Sequence, residues 1–274
     1  MPSHYAHYYF GKEVIRVMPG DVKDIINTSR FCVKAYILGL QGPDILAFYR
    51  PYILNNRLNR EGSRIHHNSG SDFFSEAARR LKKDAGPEQY SYIFGCLAHY
   101  MLDSACHPIV TQYMAETGLT HAKIEREFDN YVLKICRKSP KGLDLGPILP
   151  EDPRLGKLIA PFYRKVSPKE IIESVHSMSR ILSLMGSKNP RVRTAGYRIL
   201  SAVPSEAVRS HRDMIVQDQE CREALKSSVR LFDALNKSVM DTSVELDHLM
   251  DSILIGAPAS ERLQPDYLGI VHPE

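Results

Sequence analysis

An all-α, multi-helix fold is predicted for this chain, on three observations. Apolar residues recur at intervals of three and four through most of the 274 residues, the spacing that lines one face of a helix. Strand signals are almost lacking. The one dense cluster of turn formers, Gly142, Gly146, Pro147, Pro150 and Pro153, lies near the middle and reads as a loop between two helical halves.

In chain order, the periodicity predicts helices over residues 6–17, 22–40, 71–83, 90–106, 119–137, 168–185, 190–202, 205–235 and 238–254. The plainest start is at 168, where Ser167 precedes Pro168 and Glu170 follows. That pattern suits a capped helix with proline at its first position. No internal repeat and no low-complexity tract interrupts the series. The expected organisation is a metal-binding helical core over 1–138 and a C-terminal helical part over 139–274, packed into the same domain.

Bulk composition narrows the function. A quarter of the residues are charged and 43% are hydrophobic, which describes a globular chain and not a disordered one. A net charge of +4 is too slight to suggest a dedicated binder of nucleic acid or anionic membrane. No stretch approaches the roughly 18 uninterrupted apolar residues of a membrane span, so no transmembrane segment is expected. The opening MPSHYAHYYFGKEV lacks the basic-then-apolar pattern of a secretory leader. Five cysteines, without CxxC spacing, read as reduced thiols in the cytoplasm and offer no cysteine zinc site.

The histidines are unevenly placed. Seven of eleven, His4, His7, His66, His67, His99, His107 and His121, precede residue 122. The segment AHYMLDSACHP sets His99, Asp103 and His107 four residues apart on an apolar helix. Four residues turn through about 400°, so the side chains of His99 and Asp103 converge within one turn. His107 lies a turn further and is better placed for a neighbouring ion. Because Pro108 follows it, it is expected to swing out at the helix end.

The next helix, THAKIEREFDNYVLKIC, repeats the spacing with His121, Glu125 and Asp129. His121 and Glu125 border its apolar stripe. A buried carboxylate beside an imidazole is costly unless something satisfies both, and a divalent cation does so. Asp129 is expected to hold His121 or Glu125 by a hydrogen bond. Earlier, LGLQGPDILAFY projects Asp44 from a Gly-Pro turn, and RIHHNSGSDFF places His66 and His67 at the start of a helix. His66 is in register with Gly70, Phe73 and Ala77, His67 with Phe74 and Ala78, so either could face inward. An inventory of imidazoles and carboxylates suits zinc, and also iron or manganese. It exceeds one tetrahedral site and implies at least two ions, an arrangement that recurs in phosphoester hydrolysis.

Together these segments resemble the zinc-dependent phospholipase C superfamily. That superfamily includes bacterial phospholipase C, the zinc-dependent nucleases and the catalytic part of GPI-specific phospholipase D. FGCLAHYMLDSACHP resembles its central helix, THAKIEREFD the following ligand helix, GPD and RIHH its aspartate and next histidine, and AHYYFG its early histidine. The resemblance spans residues 4–137. It implies a phospholipase C/nuclease-like bundle with two or three zinc ions. Asp44, one of His66 and His67, His99 and Asp103 would hold the first. His107, His121 and Glu125 would hold the second. His7 and the bridging Asp103 would share in a third. Asp44 is also the implied catalytic group, handling the proton of the attacking water.

The chain departs from the secreted enzymes in having no tryptophan, whose N-terminal amine is a ligand there. The amine of Pro2 would be the substitute if Met1 is removed. The expected activity is hydrolysis of a small-molecule or lipid phosphodiester. Nucleic acid is conceivable as substrate but nothing favours it: Tyr8, Tyr9, Phe48 and Tyr49 are the candidate stacking rings. The alternative is a helical metal-binding or interaction protein that keeps the cage without turnover.

Overall fold

The computed structural model describes residues 4–53, 55–82, 85–202, 210–217 and 221–272, and no strand occurs among them. The all-α expectation is met. The longest N-terminal helix is the centre of the molecule. Helix α6 (Pro87–Thr117) is buried on every side from Ser91 to Asp103, as an evenly apolar helix must be. Around it lie α1 (His4–Val17), α2 (Gly20–Asn27), α3 (Arg30–Gly39) and α7 (His121–Ile135). Between α3 and α6 run a 3₁₀ turn (Gly42–Phe48), α4 (Arg57–His66) and α5 (Gly70–Leu81).

Beyond α7 follow the short α8 (Arg154–Ile159), then α9 (Pro168–Met185), α10 (Pro190–Ser201) and the long α11 (Glu223–Leu254). Helix α11 packs against α6, α7, α1 and α5. One contiguous apolar cluster runs from Tyr5 to Tyr267. No single helix among the described residues is long and apolar enough to cross a membrane.

Helix α3 crosses α6 at glycines. A Cβ on Gly39 would lie 2.2 Å from the Tyr92 carbonyl oxygen, and one on Gly95 would lie 2.3 Å from that of Tyr36. This close approach brings the turn after α3, and with it Asp44, down onto the helix that carries His99.

Several elements differ from the periodicity, the short α8 among them. The predicted helix over 22–40 is two helices, because Ser29 leaves the helical region (φ −155°) and caps α3 by accepting from Cys32 N–H. Helix α4 was not predicted: RLNREGSRIH has only Leu58 and Ile65 as large apolar residues, too few to show a period. Asn56 starts it by accepting from the N–H groups of Leu58 and Asn59. Helix α6 does not stop at 106 but continues through Pro108 to Thr117, where Gly118 (φ +68°) ends it.

Helix α11 is continuous through the break expected near 237. Ser238 and Thr242 bond back to the carbonyls of Ala234 and Ser238, so these polar side chains are satisfied within the helix. It begins at Glu223, not at 205. Residues 210–214 form a 3₁₀ turn, while 203–209 and 218–220 lie outside the described residues.

Candidate metal centre

Helix α6 presents His99, Asp103 and His107 in one line, and all three are buried. His107 stays within the helix and is 4% exposed; it does not swing out before Pro108. The helix keeps its course there because α7 and the C-terminal residues pack around it.

The turn after α3 supplies the next carboxylate. Gly42 has φ +49°, and a Cβ there would lie 2.3 Å from His99 Cδ2. Only glycine allows both this backbone and this approach. Pro43 and Asp44 follow, and Asp44 is 3% exposed. Helix α4 ends at His66, whose Nε2 lies 2.9 Å from Asp44 Oδ1 and 3.9 Å from Asp103 Oδ2. His99 Nε2 is 3.2 Å from Asp103 Oδ2. Asp44, His66, His99 and Asp103 thus offer four ligand atoms within 4.8 Å of one another.

His67 is not among them. It is the residue that ends α4 and is exposed, and its Nδ1 turns back to the Ser63 carbonyl at 2.8 Å. The inward stripes predicted for the pair assume one helix running through residue 70. The break at Ser69, which caps α5, ends that register and leaves His66 alone facing the cluster.

A second group forms where α6 meets α7. His121 Nε2 is 2.7 Å from Glu125 Oε1, and His107 Nε2 is 3.7 Å from the same oxygen. These three also offer ligand atoms within 4.8 Å of one another. Thr120 caps α7 by accepting from Lys123 N–H, which places His121 in the first turn, facing α6. Asp103 links the groups, since its Oδ1 is 3.8 Å from His107 Nδ1.

His7, on α1, approaches the same carboxylate, with Nε2 3.2 Å from Asp103 Oδ1 and its ring 4.5 Å from that of His99. It joins neither group among the described residues. The Pro2 amine lies outside those residues. Asp129 has a different task from the one expected. It is turned to α1, where its carboxylate accepts from the N–H groups of Tyr5 and Ala6 at 3.2 and 2.8 Å. That anchors the free N–H groups of a helix start. Burial pushes its carboxyl up to about 7, against those two bonds.

The electrostatics of the centre fit a cation. Burial opposes ionisation of Asp44 and Asp103, yet the neighbouring histidines hold both carboxyls below the usual range. Burial also pulls His107 down, against Asp103 and Glu125. Among the described residues, the buried Asp44 Oδ2, His99 Nε2 and Asp103 Oδ2 have no hydrogen bond, although His99 and Asp103 face each other. Buried polar atoms are rarely left so. Meanwhile His66 Nδ1 lies 2.8 Å from the Gly62 carbonyl, His99 Nδ1 3.2 Å from that of Leu40, and His107 Nδ1 3.0 Å from that of Asp103. A carbonyl only accepts, so Nδ1 carries the proton and each Nε2 presents its lone pair to the cluster. That is the arrangement around metal-binding histidines. The donors are nitrogen and oxygen alone, a set that suits zinc.

Two of the four candidate stacking rings are otherwise engaged. Phe48 is buried against His4, and Tyr9 packs on Phe232. His4 itself bonds Gln41 at 2.9 Å, and burial lowers it to about 4 despite that bond.

Comparison with known proteins yields one family. The model described as zinc dependent phospholipase C matches residues 6–182. No curated protein and no solved structure matches the chain.

Proposed function

The chain belongs to the zinc-dependent phospholipase C family, and from that premise we propose that it hydrolyses phosphodiesters of the phospholipid type. The observation that carries the proposal is the pair of nitrogen–oxygen ligand groups joined at Asp103, with the buried Asp44 Oδ2, His99 Nε2 and Asp103 Oδ2 making no hydrogen bond among the described residues. Asp44, His66, His99 and Asp103 would hold one zinc ion, and His107, His121 and Glu125 a second. His7 would lend its imidazole at Asp103. Zinc, when bound, would supply Lewis-acid polarisation of the phosphate and a more acidic water.

The chain's own residues do the rest. The neighbouring histidines hold Asp44 below the usual carboxylate range, and its Oδ2 makes no hydrogen bond among the described residues; it would accept the proton of the attacking water. His66 Nε2 lies 2.9 Å from the other oxygen, so the two would share the first ion. The Leu40 and Gly62 carbonyls fix the His99 and His66 rings before substrate arrives.

A closed structural site buries all its ligands, whereas catalysis needs an open side. The side chains of His66 and His121 are 17% and 30% exposed, so each group has one edge toward solvent. This favours turnover over a cage kept only for stability. The engaged Phe48 and Tyr9 rings favour a lipid or small phosphodiester over nucleic acid, which would need free stacking faces. The cytoplasmic setting expected from the cysteines is part of the same reading.

The test is hydrolysis of bis(p-nitrophenyl) phosphate and of phosphatidylcholine by the zinc-loaded chain, beside its Asp103→Ala variant. Turnover by the first and none by the second is expected. Equal turnover by both would refute the proposal.

A further inference from the structure

Residues 263–272 lie outside the family match, yet they run across both ligand groups. Tyr267 donates its N–H to the His66 carbonyl at 3.2 Å. Its own carbonyl accepts from His107 Nδ1 at 2.9 Å. Its ring is 5.0 Å from that of His66 and 5.9 Å from that of His99. One fully buried residue therefore touches histidines of both groups.

Two features seat it there. Pro108 has no N–H and so gives no helical bond to the carbonyl of Ser104. Gly269 fits against this flaw in α6. It has φ +75°, and a Cβ on it would lie 2.6 Å from the Ser104 carbonyl oxygen and 2.7 Å from Pro108 Cγ. Asp266 closes the turn between Tyr267 and Gly269. Its carboxylate accepts from the N–H groups of Leu268 and Ile270 at 2.8 and 2.9 Å, and its own N–H donates to the Ile270 carbonyl at 2.8 Å. The Tyr100 hydroxyl holds the base of the segment through the Pro265 carbonyl.

We propose that residues 263–272 form a strap that positions the second ligand group, with the Tyr267 carbonyl as the acceptor that fixes His107. The carbonyl of Asp103 also faces His107 Nδ1, but it belongs to α6 itself. Tyr267 is the acceptor from outside the helix, and it sets the rotation of the ring. With the proton held on Nδ1, Nε2 is offered toward His121 and Glu125. Tyr267 is a positioning residue on this assignment. Its hydroxyl is buried with no hydrogen bond among the described residues and has no part in the effect. The inference rests on the reading of the two groups as zinc sites. Loss of such an acceptor typically weakens metal binding about 10- to 100-fold.

The experiment compares the whole chain with its Gly269→Ala, Asp266→Ala and Tyr267→Phe variants. Zinc affinities are measured by competition with a chelator, and histidine tautomers by long-range proton–nitrogen NMR. Gly269→Ala and Asp266→Ala should each weaken one of two ions by about tenfold or more and leave the other within about twofold. Tyr267→Phe should change neither. The wild-type spectrum should show His107 protonated at Nδ1, with that signal lost in Gly269→Ala. Unchanged affinities in both strap variants would overturn the proposal. So would a Tyr267→Phe loss as large as theirs, or a wild-type His107 protonated at Nε2. The wild-type spectrum decides even if the strap variants fail to fold. A wild-type chain that takes up no zinc would refute the metal reading instead; the His107 tautomer in that metal-free chain would still support or overturn the strap.

Discussion

The two ligand groups share α6 but are built in different ways. The first draws Asp44 from a turn, His66 from the end of α4, and His99 and Asp103 from α6, so it exists only when three separate elements are packed. Its side chains are at most 17% exposed. The second takes His107 from α6 and His121 and Glu125 from the first turns of α7, the next helix in the chain, and the His121 side chain is 30% exposed. A group assembled by tertiary packing is rigid and costly to disturb. A group assembled by neighbouring helices, with an open edge, should exchange its ion more readily.

Asp103→Ala strikes the point the two groups share. It removes the carboxylate that faces His99 and His7 and the second carboxylate near His66. Zinc content should fall by at least one ion per chain, and phosphodiester turnover by about a thousandfold or more, since a carboxylate that holds the charged centre acts as part of a unit. Stability of the metal-free protein should shift by about 1–3 kcal/mol, because buried polar partners are left unpaired. Metal analysis and thermal melts check both.

Gly42→Ala tests the first group without replacing a ligand. The added Cβ would collide with the His99 ring, and φ +49° disfavours it as well. Overpacking of this kind costs about 1–3 kcal/mol. The tighter ion should be weakened while the His107 group retains its affinity. Equal weakening of both ions would show that the groups are not separable.

His121→Ala should do the reverse, weakening the second ion by about tenfold or more, with a stability change near 0.5 kcal/mol because the side chain is partly exposed. Zinc titration with a chromophoric chelator resolves the two.

The smallest effect is expected from His67→Ala. Its ring is exposed and bonded to its own helix, so both affinities and turnover should stay within about twofold. His66→Ala, one residue away, should lose the first ion. If the two variants behave alike, the register assigned to α4 is wrong.

The contrast between the groups also explains what could be read from the sequence. Four-residue spacing on an apolar stretch marks His99 and Asp103, and again His121 and Glu125, because helical geometry is local. The choice between His66 and His67 is not local. It depends on where α4 ends, and that is set by Ser69 and by a helix with almost no apolar period. The reach of α6 beyond Pro108 was hidden too, since the proline rule knows nothing of the α7 and C-terminal residues that pack around it. Asp129 repeats the spacing of its helix, yet serves the start of α1. Spacing shows which face a residue shares, not what arrives to meet it. The strap has no signature at all: Asp266, Tyr267 and Gly269 read as an ordinary loop until the fold brings them to His107.

The most direct measurement is zinc per chain, by plasma mass spectrometry, on the 274-residue protein purified without a histidine tag. Two tightly held ions, or three if His7 and Asp103 complete another site, are the expected result. Less than one ion, with no uptake when zinc is added, would contradict the metal centre and leave the buried carboxylates and imidazoles to be explained as a helical binding protein.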